Sequence, residues 1–233
     1  MKKLGIIGAM DVEIETLKSH MEGLTVTEKA GTEYWEGTLC SLPVVLVRCG
    51  IGKVNAAIGA QVLCDCFAVT HIVNTGIAGS LCAQLDIGDQ VVSRDVMHHD
   101  FDCNHFGYPM CMIPGMPISF PADALLMELA TEAAQQVNPG HVRQGRIASG
   151  DQFVADKALK EQIIQRTGAL CTEMEGAAIA QTAFRNGVPF VILRAISDKA
   201  DDSAEMDYPT FAAQAARRCA QVVMTLAEKL AEQ

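Results

Sequence analysis

A three-layer α/β/α fold on a mixed, mostly parallel twisted sheet is what this sequence predicts, and three observations carry that prediction. Short continuous apolar runs, such as 4–7, 44–47 and 190–193, recur without the alternation of a half-exposed strand, which is the pattern of strands covered on both faces. Segments with helical spacing of apolar residues separate most of these runs, the order that joins parallel strands through crossovers. At 233 residues, 49% of them hydrophobic, the chain is long enough to bury a full core, and residues 1–233 read as one domain.

The elements follow in order. A strand over 4–7 leads into a helix from about 10 to 21. Residues 34–39, just before Pro43, suggest a local hairpin; a strand at 44–47 and a helix from about 52 to 66 follow. Strands come next at 71–74 and 91–97. In the later half 124–137, 155–166 and 177–185 are helical, while 142–148 and 190–196 are extended. The chain closes on a long amphipathic helix that places Tyr208, Ala212, Ala215, Cys219, Val222 and Leu226 on one stripe. One long irregular stretch remains, 98–121, rich in His, Gly, Pro and Met; a loop of this length in a compact domain is usually functional or interfacial.

Composition removes several classes of function. The net charge is −10, from 28 acids against 18 bases, with no basic run; nucleic-acid binding draws on clustered Lys and Arg, so no nucleic-acid partner is expected. The first apolar run is too short for a signal peptide's core or a membrane span, so no membrane partner is expected either. Nine cysteines, odd in number and irregular in spacing, do not describe a disulfide framework and fit reduced thiols in a cytoplasm.

Four segments imitate familiar sites. Gly5-Ile6-Ile7-Gly8 lacks the spacing of a dinucleotide fingerprint. Gly50-Ile51-Gly52-Lys53-Val54 is half a phosphate loop, with Val47 and Val54 where a glycine and a hydroxyl are required. The run from His98 to His105 is dense in possible zinc or iron ligands, but no second cluster with ligand spacing completes a sphere, and a solvated or interfacial loop is the plainer reading. Ser149-Gly150-Asp151 and Ser197-Asp198 lie outside any Gly-x-Ser-x-Gly elbow. No metal and no cofactor are called for.

Three acidic junctions remain: Gly-Ala-Met-Asp-Val-Glu at 8–13, Glu-Met-Glu-Gly at 173–176 and Arg-Ala-Ile-Ser-Asp at 194–198. Glu13 falls in a first helical turn, where the helix dipole alone would favour a carboxylate. Glu175, with Glu173 before it, opens an almost wholly apolar helix, and a carboxylate leading into a buried element needs a partner. Asp198 follows a buried strand at the carboxyl end, where open α/β sheets bind ligands. Carboxylates gathered at one sheet edge suit a positively charged transition state.

Together with these junctions, Gly-Ile-Gly-Lys-Val at 50–54, Asn-Thr-Gly-Ile-Ala-Gly at 74–79 and Ser-Gly-Asp-Gln-Phe at 149–153 occur in an order that resembles the 5′-methylthioadenosine/S-adenosylhomocysteine nucleosidases, of the nucleoside phosphorylase superfamily. The resemblance spans nearly the whole chain and implies a nucleoside phosphorylase-like fold. It also implies hydrolysis of the N-glycosidic bond of a small-molecule nucleoside, releasing adenine and a 5-thioribose derivative, in methionine salvage and removal of methyl-cycle product. By this resemblance Asp198 is the general acid at adenine N7, oriented by Ser197, and Glu13 activates the water. Glu175 grips the ribose hydroxyls, with Glu173 and Arg194 beside it and Arg194 read as orienting Glu175, while Met174 packs under the sugar. Phe153 stacks on adenine, the Val154 backbone reads its edge, and Ala78 and Gly79 approach the purine. Met10, Ile51 and Tyr208 line the sugar and alkylthio pocket. A homodimer is implied, in which Cys103, Phe106, Tyr108 and Pro114 close the neighbour's pocket.

One acid has to be protonated and another ionised at the same pH, and Asp198 is expected to carry the raised pKa. Ile77, Ser80, Cys49, Cys103 and Tyr208 fit the family pattern loosely, at the pocket's edges. Three other activities stay open: hydrolysis of 6-amino-6-deoxyfutalosine, phosphorolysis as in purine nucleoside phosphorylases, and nucleoside binding without catalysis. Phosphorolysis requires Arg or Lys to hold an anion, and the first turn instead carries Asp11 and Glu13.

Overall fold

The structure is a computed structural model that describes residues 2–201 and 204–233, with the backbone alone for 205 and 206. Its apolar runs become β1 (Leu4–Gly8), β4 (Leu42–Arg48), β5 (His71–Ser80), β6 (Gln90–His98), β8 (Val142–Ser149) and β10 (Phe190–Asp198). Two polar strands, β2 (Glu22–Lys29) and β3 (Thr32–Leu39), make a hairpin against β4, and short strands β7 (Phe120–Pro121) and β9 (Cys171–Glu173) complete the set. The helices are α1 (Asp11–Ser19), α2 (Lys53–Phe67), α3 (Ala124–Val137), α4 (Lys157–Thr167), α5 (Gly176–Asn186) and α6 (Ala204–Ala231).

Hydrogen bonding runs in the order β10-β6-β8-β9-β5-β1-β4-β3-β2, and β10 also pairs with β5. The sheet therefore curls until β5, β9, β8, β6 and β10 close on themselves, with β1 to β4 as an open wing. Parallel pairs join β1 to β4 and β5, β5 to β10, and β6 and β9 to β8; antiparallel pairs lie in the wing and where β10 meets β6, β5 meets β9 and β7 meets β6. Helices α1, α3 and α6 cover one face, where Leu4, Ile6, Leu17, Leu126, Val223 and Leu226 share a core. Helices α2 and α5 cover the other, around Ile7, Val45, Leu63, Ile147, Ile179 and Ile192. The layers match the sequence expectation, and the strongly apolar runs are buried on both sides.

One difference matters for the site. The strand expected to end at 74 runs on through the glycines at 76 and 79, so that β5 is a strand of 10 residues. On one edge β5 pairs with β10 from Ile72 to Gly79. On the other it leaves β1 after Asn74 and meets β9 only at Gly79. The backbone edge at 75–78 is thus open to a side chain, and the change of partner makes a crevice of the kind in which α/β sheets bind ligands.

Candidate active site

A cavity of about 450 Å³ opens at this change of partner. Its walls include Met10, Glu13, Ile51, Ala78, Gly79, Phe153, Val154, Glu173, Met174, Glu175, Ser197, Asp198 and Tyr208, all singled out from the sequence, with Ile77, which the sequence put only at the pocket's edge, and Ala9, Gln152 and Thr172, which it did not name. Ile77 and Thr172 owe their place to the exposed edge of β5 and to β9, neither of which the sequence reading contained.

Glu13 sits in the first turn of α1, whose axis brings it back over the end of β1. Its Oε2 accepts the Ala9 and Met10 amides at 2.7 and 3.0 Å, and its Oε1 accepts the Ile77 amide on the open edge of β5 at 3.2 Å. The strand can come this close because residue 76 is glycine: a Cβ there would fall 2.6 Å from Glu13 Oε1. Burial pushes the carboxyl's pKa up, while the Arg194 charge and the three amides pull in the opposite direction and favour the anion.

Asp198 is the last residue of β10. The register of β10 against β5 shifts between Ile196 and Asp198, a bulge that turns the chain and re-aims the side chain. Ser197 Oγ donates to Asp198 Oδ2 at 2.8 Å, and the Ala200 amide donates to Oδ1 at 2.8 Å. Gly79 makes room here too, since a Cβ would lie 2.7 Å from Asp198 Oδ1. Burial raises this pKa, the two donors oppose it, and the charges of Asp207 and Asp201 add to the rise. Burial thus favours the neutral acid, and the two donors favour the anion.

Glu175 caps α5, and its Oε1 accepts the Gly52 amide at 2.8 Å. Burial, followed by the nearby Glu173 charge, raises its pKa. The expected contrast between one raised and one ordinary carboxyl is therefore replaced by three raised ones, because all three lie in the same dry wall. What separates Glu13 from Asp198 is the surroundings: three amide donors and the charge of Arg194 against one amide and one hydroxyl.

One expectation is corrected. Arg194 does not line the cavity; it lies fully behind it, donating to Leu193 O at 2.9 Å, Asn74 Oδ1 at 2.6 Å and Glu173 Oε2. It orients Glu173 by direct contact and stands 4.0 Å from Glu175. Burial disfavours its charge, but the three glutamates around it outweigh burial and hold it firmly protonated. Glu173 touches the cavity, yet both its oxygens are engaged: Ser149 Oγ donates to one, and Arg194 with the amides of Glu175 and Gly176, at 3.1 and 2.8 Å, donates to the other. It is a tether for β9 and α5. Ser149, a decoy in the sequence, is part of that tether and also accepts the Ala177 amide at 2.7 Å.

On the remaining wall the rings of Phe153 and Tyr208 meet edge to face at 5.6 Å, and Tyr208 Oη lies 3.2 Å from Met10 Sδ. Cys103, Phe106, Tyr108 and Pro114 are absent from the cavity of their own chain. They lie in the loop between β6 and β7, where Phe106 is 77% exposed. His98 and His99 are buried, and burial lowers both pKa values. Among the described residues no group of three or more His, Cys, Asp or Glu is placed to hold a metal ion.

The family model described as the phosphorylase superfamily matches residues 3–228. A 5′-methylthioadenosine/S-adenosylhomocysteine nucleosidase of Halalkalibacterium halodurans is 43% identical over 99% of this chain and 100% of its own. The chain belongs to the nucleosidase family of the phosphorylase superfamily. Among solved nucleosidase structures of this superfamily, that of Neisseria meningitidis in complex with methylthio-immucillin-A has a TM-score of 0.95 and 38% identity, covering 98% of this chain and 100% of its own. A futalosine hydrolase of Helicobacter pylori has a TM-score of 0.93 and 32% identity, over 98% of each chain. The phosphorylase-superfamily fold is thus shown by neighbours that align end to end.

Proposed function

We infer that this chain hydrolyses the N-glycosidic bond of 5′-methylthioadenosine and S-adenosylhomocysteine, releasing adenine. The observation that carries the choice of water over phosphate is the cavity wall: it holds Glu13, Glu175 and Asp198 but no Lys, Arg or His among the described residues, and the nearby Arg194 is committed to Glu173. An anionic nucleophile would meet uncompensated carboxylates, whereas an oxocarbenium-like sugar is stabilised by them. In this reading Asp198 protonates adenine N7 as the bond breaks, Ser197 and the Ala200 amide take up the charge left behind, and Glu13 removes a proton from the attacking water. Glu175 holds the ribose hydroxyls, Met174 packs under the sugar, Phe153 stacks on the base, and Val154 reads its edge. Met10, Ile51 and Tyr208 receive the 5′ substituent.

The whole chain acts as one domain, since a single sheet positions all three carboxylates. A homodimer is supported by the exposed Phe106 and Tyr108 beside Cys103 and Pro114, side chains that a neighbour's cavity would cover. Residence in the cytoplasm is supported by nine cysteines, all free, and methionine salvage is the role that fits the substrate. No described helix is long and apolar enough to cross a membrane.

Adenine release from methylthioadenosine, adenosylhomocysteine, 5′-deoxyadenosine and aminofutalosine, each with and without phosphate, tests this reading. Turnover of the first two at a rate indifferent to phosphate is expected. A requirement for phosphate would overturn hydrolysis, and turnover of aminofutalosine alone would reassign the substrate.

A further inference from the structure

Three segments that imitate other sites, at 50–54, 98–105 and 149–151, meet at one point beside the cavity. Lys53 Nζ lies 2.7 Å from Asp100 Oδ1 and 3.8 Å from Asp151 Oδ2. The other oxygen of Asp100, Oδ2, accepts the Asp151 amide at 2.9 Å, and Asp151 Oδ1 accepts the Lys53 amide at 2.9 Å. Each residue thus holds the next, and the ring closes. The Lys53 and Asp100 side chains are 20% and 21% exposed. Burial opposes ionisation of Asp100, but the Lys53 ammonium and the Asp151 amide outweigh it and hold the carboxyl below its usual range. His99 packs under Gly150 so closely that no Cβ could fit there, which seats the end of β6 against the same corner.

The two sides of this ring lead to different walls of the cavity. Gly52, next to Lys53, donates its amide to Glu175, and Ile51 lines the cavity before it. Beyond Asp151, Gln152, Phe153 and Val154 line the opposite part, in a segment with no helix or strand of its own between β8 and α4. A segment without regular structure takes its position from the side-chain and backbone bonds at its ends, and the ring supplies them on this side.

We propose that Asp100 is a positioning residue: by joining Lys53 to the Asp151 amide it sets the distance between the Phe153–Val154 segment and the Gly52–Glu175 contact, so that one nucleoside is held at base and sugar together. This rests on the proposed function, which puts the base against Phe153 and the sugar against Glu175. Asp198 and Glu13 are held by other bonds, so loosening the ring weakens ground state and transition state alike, and the loss falls on KM rather than kcat.

The test uses the full chain with Asp100→Ala, Lys53→Met, Lys53→Arg and the double variant Asp100→Ala/Lys53→Met. KM for methylthioadenosine and Kd for adenine are expected to rise about five- to tenfold in each of the Asp100→Ala and Lys53→Met variants, with kcat within about threefold and the pH profile unmoved, an effect of the size one charge-assisted bond supplies. The double variant is expected to be no worse than either single one, because the residues act as a unit, and Lys53→Arg should recover part of the loss. Unchanged KM and adenine affinity, or single losses that multiply in the double variant, would overturn the role of Asp100. If Asp100→Ala fails to fold, the two Lys53 variants decide the question by the same readouts. Adenine release by the unaltered protein separates the two readings: its absence sinks the nucleosidase assignment, while normal release with unaffected variants sinks only the positioning role.

Discussion

Arg194 donates to the carboxylate of Glu173 behind the cavity, with each side chain 2% exposed. The pair fixes which carboxylates are free for chemistry, because it occupies one glutamate of the Glu-Met-Glu run and leaves the other to face the ligand. Replacing Arg194 by Leu would leave Glu173 buried and charged without its partner, a change that costs about 3–5 kcal/mol. Urea unfolding of Arg194→Leu should show a loss of that order, and Arg194→Leu/Glu173→Leu should recover much of it. A loss below about 1 kcal/mol in the single variant would mean the pair contributes little to the fold.

Asp198→Asn keeps the size of the side chain and an acceptor for the Ala200 amide, and removes the transferable proton. Under the proposed function kcat should fall by about two to four orders of magnitude, the usual contribution of a positioned acid, while adenine binds within a few-fold of the unaltered protein. Retained turnover would take the role of acid away from Asp198.

The acids themselves were legible in the sequence because Glu13, Glu175 and Asp198 each stand where an apolar element begins or ends, and such places gather at one sheet edge. Apart from Ser197 beside Asp198, their partners were not. Glu173 and Glu175 are two residues apart, and only the fold shows that the first ends β9 facing Arg194 while the second caps α5 facing the cavity. Strand β2 escaped notice because Glu22–Lys29 lies at the sheet's edge with its side chains mostly exposed, so no apolar run marks it. The extension of β5 through 75–80 was hidden by its glycines, which serve close approach of Glu13 and Asp198 rather than a turn. The ring at Lys53 joins residues about fifty positions apart, a pairing that no local pattern announces.

Gly79→Ala tests the close approach directly. The added Cβ would lie 2.7 Å from both Asp198 Oδ1 and the Ala200 Cβ, so the acid or its amide donor has to shift, and overpacking of this kind costs about 1–3 kcal/mol. We expect kcat to drop at least tenfold, since a displacement on the order of 1 Å at the reacting groups is costly. A variant with normal kcat would show that Asp198 need not sit against β5.

The alkaline limb of the kcat profile should report Asp198 losing its proton. Burial, aided by Asp207 and Asp201, holds that pKa up, and the Ser197 hydroxyl is one of the groups pulling it down. Ser197→Ala removes a donor that favours the anion, so the limb should move to higher pH while the maximal rate falls less than in Asp198→Asn. A limb that moves to lower pH, or stays in place, would assign it to a different group.

Glu175 carries a consequence for stability. Its pKa in the fold is raised, by burial first and by the Glu173 charge second, so above the usual glutamate pKa of about 4.3 the folded chain binds more protons at this site than the unfolded chain. Its contribution to stability is complete below that pH and is lost as pH rises through the raised value. Glu175→Gln keeps an acceptor for the Gly52 amide and has no charge to desolvate. Its melting temperature relative to the unaltered protein should therefore improve from pH 5 to pH 8, by about 2–4 °C for a difference on the order of 1 kcal/mol in a chain of this size. Under the proposed function binding should move the other way, since an amide grips two ribose hydroxyls less well than a carboxylate does. A relative melting temperature that falls with pH would mean that the fold favours the Glu175 anion, with Arg194 at 4.0 Å outweighing burial.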